Sequence, residues 1–143
     1  MTDIEGFSLE DILPHREGML LIDDVINVEE DFAVTEAVVS PSYPMADSRG
    51  VPPLIMVELA AQTAGVCNGL GRIKTEGRDS SKKGWLVGVK RAQFFVDDFI
   101  AIGSRLVIRS ENRHEFDTLR EVFCVVHQDD ALLGKITLQL IQA

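Results

Sequence analysis

The spacing of apolar positions changes period along the chain. In Leu132–Gln142 the apolar Ile136, Leu138 and Leu140 alternate with Lys135, Thr137 and Gln139, which predicts a half-buried antiparallel strand. Met19–Val28, Phe32–Val39, Trp85–Val96, Arg105–Arg109 and Leu119–Gln128 have the same β-rich character. Glu29-Glu30-Asp31 and Asp129-Asp130 mark turns between neighbouring runs. Val51–Leu70 reads instead as a helix, with Pro52 and Pro53 suited to its first turn and Gly69 and Gly71 to its end. From Leu54 to Val66 its only polar members are Glu58, Gln62 and Thr63. A helix apolar nearly all round is buried, so a sheet must wrap it. The order is two strands, one long helix, then four strands. It predicts an α+β domain over residues 1–143, with an antiparallel sheet of about six strands around one central helix. No repeat or linker interrupts it, and Gly77–Gly84 is the one clear polar loop.

Charge narrows the function classes. The 143 residues carry 14 Lys and Arg against 23 Asp and Glu, a net of −9, which argues against non-specific nucleic-acid binding. Residues 72–91 run against this balance, with seven bases and two acids. They are either a solvated loop and strand edge or a docking patch for an acidic partner. Two cysteines, both in apolar runs, make neither a disulfide scaffold nor a four-ligand zinc site. The first ten residues lack the basic start and apolar core of a signal peptide. The charge-free run Leu59–Gly71 is too short to span a bilayer. The expectation is a soluble, cytoplasmic protein.

Glu58 is the most informative residue. A carboxylate inside an apolar helix is costly unless paired or set in a pocket, and burial raises a carboxyl pKa towards the range a general acid or base needs. Gln62, four residues on, shares its face. The pair either lines a pocket, with Glu58 moving protons, or is a structural acid satisfied by neighbouring amides. His15, His114 and His127 have no metal-ligand spacing, and no nucleophile elbow, P-loop or dinucleotide fingerprint is present. No metal and no cofactor is expected.

Leu13-Pro14-His15-Arg16-Glu17-Gly18-Met19-Leu20-Leu21-Ile22-Asp23-Asp24-Val25 resembles the opening of the hot-dog-fold 3-hydroxyacyl-(acyl carrier protein) dehydratases. Val51-Pro52-Pro53-Leu54-Ile55-Met56-Val57-Glu58-Leu59-Ala60-Ala61-Gln62 is similar to their central-helix signature, and Gly88-Val89-Lys90-Arg91-Ala92-Gln93-Phe94 to the strand after it. Within that family, residues 46–52 and 58–66 look most like the dehydratase-like proteins of aryl polyene gene clusters. The resemblance implies a hot-dog fold in a homodimer, a larger assembly or a heterodimer with another hot-dog subunit. It implies acyl carrier protein or coenzyme A thioesters as substrates in fatty-acid or polyene-type biosynthesis, with Glu58 as acid/base and Gln62 its companion. Tyr43, Leu54 and Val89 are the substrate-wall candidates. Lys82, Lys83, Lys90 and Arg91 are the carrier-docking candidates.

Two positions depart from the family pattern. Ser42-Tyr43-Pro44-Met45 stands where the family carries its catalytic histidine, and Pro53 replaces a glycine whose amide faces the thioester carbonyl. Proline has no N–H. Asp47 or Tyr43 is the candidate substitute for the histidine, with a loop or helix-entry role for Asp47 as the plainer reading. Three functions stay open on the residues alone: a dehydratase, a non-catalytic hot-dog partner of an active dehydratase, or a thioesterase whose helix carboxylate acts without histidine.

Overall fold

A computed structural model describes residues 8, 9, 19–77, 85–116 and 118–142. Six strands and one helix follow in the order β1 (Asp24–Val28), β2 (Phe32–Val38), α1 (Ile55–Glu76), β3 (Trp85–Phe94), β4 (Arg105–Phe116), β5 (Leu119–Gln128) and β6 (Ala131–Gln142). The strands form one sheet in the order β1-β2-β4-β5-β6-β3, and every pairing is antiparallel. This is the predicted α+β hot-dog architecture.

Alternation fixes which face meets the helix. Ala33, Thr35 and Ala37 of β2, Leu106, Ile108 and Ser110 of β4, Val122, Cys124 and Val126 of β5, and Ile136, Leu138 and Leu140 of β6 are all buried. All but Ala33, Thr35 and Ser110 join Ile55, Met56, Leu59, Ala60 and Ala64 of α1 in the main core. Leu9, Ile22 and Ala33 close a second cluster around Val66, Cys67, Leu70 and Ile73. That second cluster explains why α1 runs to Glu76 and not to the expected stop near Gly69 and Gly71. Val66, Leu70 and Ile73 keep one apolar stripe in register, and its burial outweighs the glycine penalty of about 1 kcal/mol each. The helix ends at Gly77, whose φ of 94° suits glycine and whose N–H donates to Ile73 O at 2.8 Å. It also starts later than predicted, because Val51 pairs with Ile100 through two backbone hydrogen bonds of 2.9 and 2.8 Å.

The helix lies over β2, β4 and β5 and barely reaches β3. Val89, Ala92 and Phe94 pair with Leu138, Ile136 and Gly134, which puts them on the helix-facing side of the sheet. Yet Val89 is 50% exposed and Phe94 37%. The sheet thus extends past its helix, and β3, its end strand, offers an apolar inner face and, among the described residues, an unpaired edge. No helix among the described residues is long and apolar enough to cross a membrane.

Candidate active site

Glu58 and Gln62 occupy successive turns of α1, and the helix repeat brings their side chains together. Gln62 Nε2 donates to Glu58 Oε1 at 3.0 Å and to Met19 O at 2.7 Å, while its Oε1 accepts the Leu21 N–H at 2.9 Å. Gln62 is wholly buried. Both amide protons are committed, so Gln62 holds Glu58 and the chain at 19–21. Glu58 itself is half-buried, as are Val57, Ala61 and Gly65 along the same side of the helix. The third polar residue of the apolar helix, Thr63, is a fastener: Oγ1 donates to Leu59 O at 2.8 Å and lies 2.7 Å from Thr35 Oγ1 of β2.

Tyr43 is buried, and its hydroxyl donates to Leu21 O at 2.7 Å. Burial, then the nearby Asp23 carboxylate, push its phenol well above the usual value. A phenol so engaged and so hard to ionise is no ready base, and its hydroxyl anchors the chain at Leu21. Asp47 is exposed in a turn whose N–H and C=O bond Gly50 at 2.9 and 3.0 Å. Its carboxylate takes Arg49 Nη2 at 2.7 Å, and the Arg49 contacts hold its pKa below the usual range. Arg49 also stacks 3.9 Å from the Phe99 ring centroid.

The described histidines lie on the other side of the sheet from α1. His127 pairs with Val107, and His114 with Glu121, all on the outer face. His15 and the rest of Leu13–Arg16 fall outside the described residues, as do Lys82 and Lys83. Leu54 caps the helix and is 56% exposed. In the first turn the N–H groups of Ile55, Met56 and Val57 donate to the carbonyls of Pro52, Pro53 and Leu54, each at 3.0 Å. Those three amides are therefore engaged within the chain.

Of the two described docking candidates, Lys90 is tied to Glu121 Oε2 at 2.9 Å. A bulge between Val89 and Arg91 moves Arg91 to the outer face opposite Thr137, where it is exposed. One polar cluster was not singled out from the sequence. Asn68, buried, donates to Ala64 O at 2.8 Å and accepts from Asn112 at 3.1 Å and from Arg120. It pins the far half of α1 to β4 and β5. A lone asparagine in an apolar run is the signal that could have flagged it. Among the described residues no group of His, Cys, Asp and Glu is placed to hold a metal ion.

The chain spans about half the length of the curated relatives it matches. The 3-hydroxyacyl-[acyl-carrier-protein] dehydratase FabZ of Streptococcus pneumoniae serotype 4 is 38% identical over 76 residues, which are 46% of this chain and 49% of that protein. Among solved structures, the dehydratase heterocomplex ApeI:P from Xenorhabdus doucetiae superimposes with a TM-score of 0.79 at 23% identity, over 94% of this chain and 90% of that one. An HP0420 homologue from Helicobacter felis gives 0.69 at 11% identity, over 94% and 88%. At such identities these two likenesses speak for the fold alone. The model of the ApeP-like dehydratases matches residues 7–143, nearly the whole length, including the helix that carries Glu58 and Gln62. On that match the chain belongs to the ApeP-like dehydratase family.

Proposed function

We propose that this chain is the acid-bearing subunit of a two-subunit hot-dog dehydratase acting on 3-hydroxyacyl thioesters of acyl carrier protein. The observation that carries the reading is the half-built site. Glu58 stands on a half-buried side of α1 and is held by Gln62, while the inner face of β3 beside the helix layer is apolar and uncovered. His114 and His127 lie across the sheet from it. A second hot-dog subunit laid on β3 covers that face, satisfies the free strand edge and supplies a histidine. The FabZ relative and the ApeI:P heterocomplex support an acyl-carrier substrate and a hot-dog partner. Coenzyme A thioesters are the alternative donor. Two buried free thiols suit a reducing, cytoplasmic compartment.

In the reaction the partner's base removes the C2 proton. The C3 hydroxyl takes a proton from protonated Glu58 and leaves as water, and the electron pair of the C2–H bond becomes the C2–C3 double bond of the enoyl thioester. Glu58, left ionised, regains its proton from the base side or from solvent before the next turnover.

A second reading has its own observation. Pro53 lacks an N–H, and beyond Leu54 the first-turn amides of Ile55, Met56 and Val57 are already engaged within the chain. Losing an oxyanion donor costs about 10²–10³ in rate. This favours a non-catalytic subunit that supplies the interface while chemistry runs in the partner's own site. A turnover assay on the chain co-produced with a histidine-bearing hot-dog dehydratase subunit separates the readings. Enoyl thioester formation that Glu58→Gln abolishes supports the acid-bearing role. Turnover indifferent to Glu58→Gln selects the silent subunit, and release of free thiol from saturated acyl thioesters selects a thioesterase.

A further inference from the structure

Residues 19–21 approach the sheet without belonging to a strand, and side chains hold them there. Met19 O and Leu21 N bond Gln62, and Leu21 O takes the Tyr43 hydroxyl. Both main-chain polar groups of Leu21 are thus clamped, one from the helix and one from the loop between β2 and α1. The loop end is itself fixed: Tyr43 N donates to Ser40 O at 3.0 Å, and Ala46 N donates to Tyr43 O at 3.1 Å. The helix end of the clamp is the amide that touches Glu58 Oε1.

We propose that Tyr43 is a positioning residue for Glu58, acting from the pre-helix loop through Leu21 and the side-chain amide of Gln62. The inference rests on the reading of Glu58 as the acid. It gives a function to the segment 42–45, which stands where the family pattern carries its histidine and has none here. The ring alone would fill its pocket. What the hydroxyl adds is a directed bond that stops Leu21 sliding along the helix. If Leu21 shifts, Gln62 must choose between following its N–H and keeping Glu58, because one short amide cannot span both. The clamp therefore converts loop position into carboxylate orientation.

The test uses Tyr43→Phe, which keeps the ring and deletes the bond. The direct readout is hydrogen exchange of the Gln62 side-chain amide by NMR, which needs no turnover. Loss of the clamp makes those protons exchange about tenfold faster, the factor expected for one lost hydrogen bond. In the active two-subunit assembly the same variant lowers kcat about tenfold and leaves KM unchanged, since substrate contacts are intact. Ile73→Val, in the other core cluster, is the control for general destabilisation and moves neither readout. If Tyr43→Phe does not fold, uniform 3-fluorotyrosine replaces it. Tyr43 is the only tyrosine among the 143 residues, so only this hydroxyl changes, and the Gln62 amide resonances must then shift. An unchanged Gln62 amide in the folded variant, or in the fluorotyrosine protein, overturns the proposal. A parent assembly without turnover instead defeats the dehydratase reading, and the amide measurement still decides on Tyr43.

Discussion

Gln62 reaches Glu58 at 3.0 Å with one amide proton and Met19 O at 2.7 Å with the other, so a single side chain joins the candidate acid to the segment that opens the fold. Stability and chemistry are coupled at this residue. The glutamine cannot be treated as a loose pocket donor, because both its amide protons are already in use within the chain.

Replacing Gln62 with Leu is accordingly expected to be expensive for a change of similar volume. The Leu21 N–H loses its partner in a buried setting, at about 1–3 kcal/mol for an unsatisfied group, while Met19 O loses one in a part-buried setting where water reaches it. The expected loss is about 2–3 kcal/mol in urea unfolding, with an unchanged m-value. A loss within about 0.5 kcal/mol would mean that these groups find water or relax.

Tyr43 predicts a pH signature. Its native pKa is raised, by burial first and then by Asp23, above the value of about 10 in an unfolded chain. Above pH 10 the unfolded state therefore binds fewer protons than the native state, and stability falls as pH rises towards the native value. This contribution is complete below pH 10. With one tyrosine in the sequence, the tyrosinate absorbance should appear near pH 10 in denaturant and only at higher pH in the native protein. A native midpoint near 10 would show that the phenol is not sealed against Leu21.

The two thiols should be inert in the native protein. Burial pushes Cys67 up to about 11 and Cys124 up to about 12, and they are 5% and 0% exposed. A disulfide reagent at pH 8 is expected to react with neither thiol within minutes and with both after denaturation. Rapid reaction of Cys67 alone would show that the cavity between the β1–β2 turn and α1, lined by Glu29, Glu30, Cys67 and Leu70, admits the reagent.

Gly50 guards the approach to the helix. Its φ is 117°, and a Cβ there would lie 1.9 Å from Ile100 O, inside the pairing of Val51 with Ile100. Gly77 also has positive φ, at 94°, but among the described residues nothing stands within 4 Å of its would-be Cβ. Gly77→Ala therefore carries backbone strain alone, about 1–3 kcal/mol. Gly50→Ala adds a backbone clash and should exceed it by about 2 kcal/mol or more, measured by denaturant unfolding of the two variants. Equal losses would mean that the 96–104 loop yields freely.

The sequence pattern carried the architecture further than the site. Alternation in β6 placed Ile136, Leu138 and Leu140 inward, as found, because a strand with one buried face has no freedom of register. The helix stop was misread at Gly69 and Gly71, since packing of Leu70 and Ile73 overrides a local preference. In the site, the four-residue spacing was enough to set Gln62 beside Glu58. The partners Met19 O and Leu21 N were not legible, because main-chain groups carry no residue code. The bulge at Lys90 was equally hidden: strict alternation would turn Arg91 inward, and only the sheet pairing shows that it faces out.

That bulge shapes the last prediction, which concerns a carrier-protein partner. Acyl carrier proteins are acidic, so a chain of net −9 needs local positive charge to meet one. Of the described candidates, Lys90 is already matched by Glu121 at 2.9 Å, so the pair presents no net charge, whereas Arg91 stands exposed beside it. Arg91→Gln should weaken carrier binding several-fold at low salt, and the difference should fade as ionic strength shortens the screening length to about 8 Å. The double change Lys90→Gln with Glu121→Gln leaves net charge as it was and should leave affinity within about twofold, because an exposed ion pair is worth about 0–1 kcal/mol. Calorimetry against carrier protein at two salt concentrations measures both. If the double variant loses as much as Arg91→Gln, the partner reads the Lys90–Glu121 pair by contact and not by charge. If neither variant changes binding at low salt, the β3 edge is not where the carrier docks.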